Sequence, residues 1–309
     1  MRVLRGFTGL EHDFDTPSVS IGNFDGVHLG HQAAIKSVLA DARARACASV
    51  VCTFDPHTRA LLKPNEPPSL MQTLDQRLEA ISALGVDAIV VIPFNEQVAA
   101  FSREDFVGDF LRGTLNLSSL HVSSYFRFGR LGAGDVDYLR DLGTARGFDL
   151  TIVPEVVHED RPISSSWVRQ LIRDGDMEGA AGLLGRPLTL RGEVAPGGRR
   201  GRELGAPTAN LMVENGLLPP TGVYVTRALL GGMRLPAVTN VGTRPTFGPG
   251  LALTVEAHLL DRSDDLYGLR MDIEFLQKLR EEIEFSSPAE LAGRIQQDVA
   301  LARAYFEDH

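Results

Sequence analysis

Cysteine is nearly absent from this 309-residue chain, in which Cys47 and Cys52 are the only two. They lie in one apolar stretch, ACASVVCTF, with no second pair to complete a zinc site and no spacing typical of a disulfide framework. Two buried thiols in a reducing compartment are the simpler interpretation. The opening residues, MRVLRGFTGLEHDF, also lack the apolar core of a signal peptide, and we therefore expect a cytoplasmic protein.

Long apolar runs and positive charge are also lacking. No run of about 18 apolar residues occurs, which argues against a membrane-spanning helix. Lys and Arg number 31 against 40 Asp and Glu, giving a net charge of −9, whereas a general nucleic-acid binder needs a basic surplus. The content of 43% hydrophobic and 23% charged residues is that of a folded globular chain long enough for two domains. The oligomeric state is left open.

The first half of the chain alternates strand and helix patterns from residue 18 to about 180. Helical periodicity or helix stop signals mark HLGHQAAIKSVLADARARA, LDQRLEAISALG, SREDFVGDFLRGTL and DVDYLRDLGTARG. Between them lie short apolar strands: SVSIGNF, ASVVCTF, VDAIVVIPF, LHVSSYF and DLTIVPEV. This alternation predicts a parallel α/β sheet, which binds ligands outside the carboxyl ends of its strands.

The second half of the chain has a different sequence pattern. Short strands separated by Gly and Pro turns fill residues 187–276, and a helical pattern, SPAELAGRIQQDVALARAYF, follows near the end. This pattern predicts a small β-barrel with a C-terminal helix. We therefore expect an α/β domain at residues 1–182 and a β-barrel domain at residues 183–309.

The stretch GNFDGVHLGH joins the first predicted strand to the first predicted helix. His28 and His31 are three residues apart in the first helical turn, so both rings can face one point beside the helix N-terminus. Backbone N–H groups and the helix dipole favour an anion there. Two imidazoles at such a place can stabilise the charge that develops on an α-phosphate during in-line attack.

A second candidate for phosphate binding is the stretch ISSSWVR. Ser164, Ser165 and Ser166 offer hydroxyl donors at the start of a predicted helix, and Arg169 adds a guanidinium one turn later. An ordinary N-cap cluster is the alternative for the serines taken alone.

The second half contains neither a P-loop nor the protein-kinase motifs. Its candidate phosphate loop is the Gly- and Arg-rich stretch within residues 192–211, although a flexible hairpin explains that composition equally well. Thr208 and Asn210 of PTAN present hard oxygen atoms that suit Mg²⁺ on nucleotide phosphates. In LTVEAHLL, period-2 alternation places Glu256 on the polar face, where it is either an exposed strand residue or a general base for an alcohol.

Taken together, these motifs resemble the prokaryotic bifunctional riboflavin kinase/FAD synthetase family. In the first half the resemblance rests on the HxGH stretch, TFDPH, FRFG and ISSSWVR. In the second it rests on GEVAPGGRRGRELGAPTANL, GVYV, NVGTRPTF, VEAHLL, DLYG and LREEIEF. Together they cover roughly residues 15–305. The resemblance implies a Rossmann-like nucleotidylyltransferase domain, a riboflavin-kinase barrel, riboflavin, FMN and ATP as substrates, and Mg²⁺.

The resemblance also implies roles for particular residues. Glu256, His28 and His31 are implied to be catalytic. Nucleotide binding is implied for Gly22, Asn23, Phe24, Asp25, Ser164, Ser165, Ser166, Arg169, Gly201, Arg202, Gly205, Thr208 and Asn210, the last two also as metal ligands. Flavin binding is implied for Phe54, Asp55, Phe126 and Phe128, although the phenylalanines also fit a hydrophobic core and FDPH also fits a turn.

One segment departs from the family pattern. Family members usually have Gly, Asp or Glu, and Asp or Asn directly before FxFG, where this chain has Ser123, Ser124 and Tyr125. The segment loses a glycine that permits close ligand approach, and it loses two acceptor side chains. One alternative is therefore a riboflavin kinase whose adenylyltransferase domain is weakened or redirected. A non-catalytic flavin-binding protein is another, which the intact Thr208, Asn210 and Glu256 disfavour.

Overall fold

The computed structural model describes residues 1–6, 8, 10, 13–196, 207–245, 251–262 and 265–309. The chain divides into two compact units. The first comprises Met1–Ser69 and Leu74–Ser165, and the second comprises Leu70–Thr73 and Ser166–His309. A search of the described residues finds no helix with the length and apolarity that crossing a membrane requires.

The first unit is built around a six-stranded parallel sheet. Its strands are β1 Arg2–Arg5, β2 Ser18–Gly22, β3 Ser49–Asp55, β4 Ala88–Pro93, β5 Ser119–Ser123 and β6 Asp149–Val153. Their order in the sheet is β1-β4-β3-β2-β5-β6. Ser18 of β2 therefore pairs with Ser49 of β3 on one side and with Ser119 of β5 on the other. The strand order reverses at β2, and such a switch point is where open α/β sheets bind ligands.

Helices and short elements connect these strands. They are α1 Leu29–Arg45, α2 Thr58–Leu62, α3 Leu74–Ser82, α4 Glu96–Ala99, α5 Arg103–Asp105, a π-helix over Phe106–Thr114, a 3-10 turn over Arg130–Gly132, α6 Val136–Arg146, and the hairpin strands β7 Val157–His158 and β8 Arg161–Pro162. The predicted helix SREDFVGDFLRGTL begins with a Ser102 capping box, but its body is π-helical. The N–H of Leu115 accordingly donates to the carbonyl of Phe110, five residues back, at 3.0 Å.

Both faces of the parallel sheet are buried. Val50, Cys52 and Val90 lie in one hydrophobic cluster, while their neighbours Val51 and Ile89 lie in another. Successive residues of a strand point to opposite faces, so a strand covered on both sides needs a continuous apolar run. This explains the sequences SVVCTF and AIVVI, and it places the Cys52 thiol in the core.

The second unit contains a closed antiparallel barrel. Its strands are β9 Leu188–Ala195, β10 Ala209–Val213, β11 Gly222–Leu230, β12 Met233–Pro245, β13 Leu251–Leu259 and β14 Arg270–Arg280. Their order is β10-β13-β12-β11-β14-β9, and β9 pairs with β10 to close the barrel. Closure leaves no exposed sheet edge. The predicted architecture of an α/β sheet domain followed by a β-barrel is confirmed.

In the described part of the chain, helices also accompany the barrel strands. They are α7 Ser165–Asp174, α8 Met177–Leu184 and the C-terminal α9 Pro288–Asp308. Helix α8 packs against β9 and β14, and Ala302 of α9 joins a hydrophobic cluster with Val225 and Val238. The N–H of Leu217 also donates to the carbonyl of Leu70, which attaches segment Leu70–Thr73 to this unit. The compact unit thus begins before residue 183, which was predicted to open the second domain and which lies inside α8.

Candidate active sites

The loop between β2 and α1 positions both histidines of the HxGH stretch. His28 is the N-cap of α1, and its Nδ1 accepts a hydrogen bond from the His31 N–H at 3.3 Å. The rings of His28 and His31 stack with centroids 3.6 Å apart and planes inclined by 18°. A Cβ at Gly30 would lie 3.1 Å from the His28 ring, so a side chain at this position would crowd that ring. The two rings thus lie together at the start of α1.

The backbone of this loop is held in uncommon conformations. Phe24 and Val27 are buried with φ of 51° and 42°, in the left-handed region that side chains other than glycine disfavour. The Phe24 ring meets the His31 ring edge-on at 5.1 Å between centroids. Such strain persists only where surrounding contacts impose it, and it is common at functional sites.

Asn23 and Asp25 attach this loop to neighbouring segments through contacts that the sequence does not reveal. The Oδ1 of Asn23 accepts from the Thr58 N–H at 3.0 Å, and its Nδ2 donates to the Thr58 hydroxyl at 2.9 Å, fixing the loop to α2. Asp25 is buried, and its carbonyl accepts from the Ser165 hydroxyl at 3.1 Å. This last bond brings the serine stretch to the HxGH loop.

Arg77 of α3 is a functional candidate that sequence reasoning missed. Its guanidinium donates to the carbonyl of Asn23 at 2.8 Å and to the carbonyl of Phe54 at 2.9 Å. The residue is only 4% exposed, and this burial lowers the pKa of the guanidinium, while Asp25 and Asp55 oppose the shift. In LDQRLEAIS it has the appearance of an ordinary surface charge, and only the fold shows that it joins the ends of β2 and β3.

A pocket of about 580 Å³ opens in the first unit beside the paired histidines. The predicted site residues in its lining are Gly22, Asn23, Phe24, His28, His31, Phe54, Phe126, Phe128, Ser164 and Ser165. Asp25 and Asp55 are outside this lining, Asp55 being exposed at the end of β3. Ser166 is exposed and Arg169 is buried in α7, and both belong to the second unit.

The aromatic residues of this pocket form a cluster. The rings of Phe126 and Phe128 are stacked at 5.7 Å between centroids, and Phe106 lies 4.8 Å from Phe128. Phe54 meets Phe94 edge-on at 5.5 Å. These rings therefore pack in the hydrophobic core and also line the pocket. A core role and a flavin-binding role are thus compatible for the phenylalanines. A flat apolar ligand suits such a wall.

The departing segment Ser123–Ser124–Tyr125 also borders the pocket. Tyr125 lines the pocket and is 71% exposed. The Ser124 hydroxyl donates to the Glu155 carboxylate at 2.9 Å, and a hydrogen bond to the same carboxylate raises the pKa of the Tyr125 phenol. Glu155 lines the pocket and is a second residue that sequence reasoning missed.

In the second unit, Glu256 lies at the middle of a polar row across three strands. Asn210 of β10 and Asn240 of β12 are its register partners on either side. Val255 and Ala257 are buried on the opposite face, as the period-2 pattern predicts. Asn240 is a third residue missed from the sequence, because strand order alone brings it beside Glu256.

Two further contacts define this row. The His258 Nδ1 donates to the carbonyl of Pro207 at 2.9 Å, which ties the PTAN segment to β13. A Cβ at Gly242 would lie 2.7 Å from the Glu282 carboxylate and 2.9 Å from the Asn240 amide, so both groups converge over this glycine. Thr208 and Asn210 are half-buried beside this row. Gly201, Arg202 and Gly205 lie outside the described residues.

Comparisons with known proteins match the two units separately and then together. The sequence model of the FAD synthetase family matches residues 11–167, and that of the riboflavin kinase family matches residues 184–306. The chain is 35% identical to a bifunctional riboflavin kinase/FMN adenylyltransferase of Escherichia coli over 99% of this chain and 98% of the relative. It is 34% identical to the Bacillus subtilis protein of that name, over 94% and 92%.

A solved structure has the same fold throughout. The crystal structure described as a macrolide-efflux protein from Streptococcus pneumoniae aligns with a TM-score of 0.87 at 28% identity. The alignment covers 97% of this chain and 98% of that one. The order of an α/β unit followed by a barrel is therefore shared over nearly the full length of both chains.

Proposed function

This chain belongs to the family of bifunctional riboflavin kinase/FMN adenylyltransferases, and from this membership we propose which residues carry each reaction. The enzyme uses ATP to phosphorylate riboflavin to FMN and to adenylylate FMN to FAD. We assign adenylyl transfer to residues 1–182 and phosphorylation to residues 183–309. The matches at 11–167 and 184–306 support this division.

The stacked pair of His28 and His31 is the observation that carries the adenylyltransferase assignment. Because Nδ1 of His28 accepts the His31 N–H, the proton of a neutral His28 ring is on Nε2. A donor beside a helix N-terminus stabilises charge that develops on the α-phosphate as the FMN phosphate attacks and pyrophosphate leaves. Ser164 and Ser165 line the same pocket. We propose that Ser164 supplies a hydroxyl donor for the remaining phosphates, and that Ser165, whose hydroxyl donates to the Asp25 carbonyl, supplies its backbone N–H at the start of α7.

The flavin of FMN is proposed to lie against Phe54, Phe126 and Phe128. These rings line the pocket that contains the histidines, and a flat isoalloxazine gains apolar contact from them. Asp25 and Arg77 are proposed as positioning residues, because both hold the loop and neither lies in the lining. For Asp55, we retain a contact to the flavin edge as a proposal.

The kinase reaction is proposed to depend on Glu256 as the general base. Its carboxylate lies on the polar face of β13 between Asn210 and Asn240, and a carboxylate accepts the proton of the ribityl 5′-hydroxyl as that oxygen attacks the γ-phosphate. The amide groups on either side can orient the carboxylate or the substrate hydroxyl. Gly201, Arg202 and Gly205 are proposed to contact the ATP phosphates.

Thr208 and Asn210 are proposed to hold Mg²⁺. Among the described residues no cluster of three or more His, Cys, Asp or Glu side chains is arranged for a metal, so hydroxyl and amide oxygens are the candidate donors. Such hard oxygens suit Mg²⁺, which usually completes its shell with water and phosphate oxygens. When bound, the ion neutralises charge on the phosphates of ATP.

Product analysis tests both assignments. One reaction supplies riboflavin, ATP and Mg²⁺ to the purified chain, and a parallel reaction starts from FMN. Separation of the flavins is expected to show FMN and FAD in the first and FAD in the second. FMN as the sole product of the first reaction, with no conversion in the second, would instead support a kinase with a silent adenylyltransferase domain.

We also propose that the enzyme works in the cytoplasm. Cys47 and Cys52 are both free thiols, and Cys52 is buried in the sheet core. Free thiols are usual in a reducing compartment. Cell fractionation with detection of the protein tests this proposal.

A further inference from the structure

The Glu155 carboxylate is held at the pocket rim by a hydroxyl donor. Ser124 donates to Oε1 at 2.9 Å, and the proximity of the same carboxylate raises the pKa of the Tyr125 phenol. Strands β5 and β6 are paired in parallel up to Ser123 and Val153, so the residues that follow leave the sheet side by side. A donor that follows the end of β5 thus orients an acceptor that follows the end of β6.

This carboxylate lies on the nucleotide side of the pocket. The residue after it, Val156, accepts a hydrogen bond from the Ile163 N–H at 2.9 Å. Ile163 directly precedes Ser164 and Ser165, and all of these residues line the pocket with Glu155. The chain that carries Glu155 is therefore bonded to the chain that carries the proposed phosphate ligands.

The charge of Glu155 restricts which part of ATP it can meet. A carboxylate repels the triphosphate, so its partner must be a neutral group that bears donors. A carboxylate can accept about four hydrogen bonds, and Ser124 supplies one of them. The vicinal hydroxyls of ribose are such donors, and acidic side chains accept them in other nucleotide-binding folds.

We propose that Glu155 accepts hydrogen bonds from the ribose hydroxyls of ATP in the FAD synthetase domain, with Ser124 and Tyr125 as its positioning residues. This inference rests on the proposed adenylyltransferase site. It gives the departing segment a function, because the acceptor absent from the strand end at Ser123 is supplied by the neighbouring strand. FAD synthesis then does not require the acidic residues of the usual family segment.

Deoxynucleotides test the contact. FAD formation from FMN is measured with ATP, 2′-deoxy-ATP and 3′-deoxy-ATP for the full chain and for Glu155→Ala. We expect kcat/KM of the full chain to favour ATP about 10- to 100-fold over at least one deoxynucleotide, which is the range for a hydrogen bond to a charged group. In Glu155→Ala that preference is expected to fall below about threefold, through KM for ATP rather than kcat.

Two further variants separate the contact from general effects. Glu159→Gln removes an exposed carboxylate that does not line the pocket, and it should keep the wild-type preference. Tyr125→Phe removes only the phenolic donor, and its preference should lie between those of the full chain and Glu155→Ala. FMN formation should be unchanged in all three variants.

Two results would overturn the contact. One is an equal preference for ATP in the full chain and in Glu155→Ala. The other is a full chain that does not discriminate between ATP and either deoxynucleotide. A full chain that forms no FAD at all would contradict the proposed adenylyltransferase site instead. In that case, calorimetric titration with ATP and 2′-deoxy-ATP still tests the contact between Glu155 and the ribose. The contact is supported only if the full chain binds ATP more tightly than 2′-deoxy-ATP and Glu155→Ala does not.

Discussion

The Nδ1 atom of His28 accepts a hydrogen bond from the backbone N–H of His31 at 3.3 Å, and the two rings stack above this bond. His28 therefore caps helix α1 and also lines the pocket. This structural role and the proposed chemical role of His28 can be separated by substitution.

His28→Asn should separate these two roles. Asparagine is a strong N-cap, so the free energy of unfolding should change little, whereas His28→Ala should lose about 0.5–2 kcal/mol. Both variants lack the imidazole donor, and FAD formation from FMN should fall about 10²- to 10³-fold in each. Steady-state rates and denaturant titration measure the two effects.

His57→Ala is the matched control for this experiment. His57 also caps a helix, with its Nδ1 accepting from the Arg59 N–H at 3.1 Å, but it does not line the pocket. Its loss should therefore leave the rate of FAD formation near that of the unaltered enzyme. A wild-type rate in His28→Asn would mean that His28 serves the fold alone.

Arg77→Met should disturb the adenylyltransferase site indirectly, through the loop that carries the histidines. The substitution leaves the carbonyls of Asn23 and Phe54 without their charged donor in a buried place, at a cost of about 1–3 kcal/mol in stability. FAD formation should fall while FMN formation persists, because the disturbed loop carries the histidines. Arg59→Met, which removes an exposed arginine paired with Glu66, should change neither quantity. Equal loss of both activities in Arg77→Met would contradict this local role.

Glu256→Gln should stop phosphorylation without preventing ATP binding. The amide keeps the size of the side chain and removes the base, so FMN formation should slow about 10²- to 10⁴-fold. Adenylylation of added FMN should continue at its former rate. Glu193→Gln changes an exposed carboxylate of the barrel, on β9, and serves as the control. Wild-type phosphorylation by Glu256→Gln would exclude Glu256 as the general base.

The buried His121 should make the stability of the enzyme depend on pH. Its Nδ1 lies 2.8 Å from the Ser37 hydroxyl and its Nε2 lies 3.4 Å from the Asp41 carboxylate. Burial lowers the pKa of His121 below its ordinary value of 6.5, although Asp41 opposes the shift. As pH falls below 6.5 the unfolded chain binds a proton that the folded histidine resists, so stability decreases with falling pH.

Denaturant titration between pH 7.5 and 5 measures this effect. The slope from one such group reaches at most about 1.4 kcal/mol per pH unit, and His121→Asn should reduce the slope. Asp41 should not affect the slope in this pH range. Burial opposes its charge, but hydrogen bonds from Ser119 and Arg45 lower its pKa to about 2, so its contribution to the free energy of unfolding is lost only at more acidic pH. Replacement of the exposed His158 by Asn is the control, and identical slopes in His121→Asn and the full chain would refute the prediction.

The helices and strands of the fold can be predicted from local sequence patterns, whereas the tertiary contacts between them cannot. The apolar run at Ser49–Asp55 and the alternation around Glu256 predict a buried strand and a half-buried strand, because each period reports which faces are covered. The edge strand Arg2–Arg5 is mostly exposed and has no such period, so it was not predicted. The packing of α8 on β9 and β14 also brings together segments that are distant in sequence, which local patterns do not report.

The residues of the candidate sites likewise divide into those that the sequence could place together and those that it could not. His28 and His31 could be placed together from the sequence, because one helical turn joins them. Arg77, Glu155 and Asn240 could not, because each reaches its site through strand order or helix packing between distant segments. In the sequence each is an ordinary polar residue, and only the fold gives it partners.

Mixing two inactive variants tests the central claim that two separate sites catalyse consecutive steps. Neither His28→Asn nor Glu256→Gln alone should convert riboflavin to appreciable FAD, because the first stops at FMN and the second does not make FMN. Together in one solution with riboflavin, ATP and Mg²⁺ they should restore FAD, since FMN from one protein is substrate for the other. Flavins separated by chromatography give the result directly. FAD in the mixture and not in either single reaction is the predicted outcome, and a mixture that accumulates FMN without FAD would contradict the account.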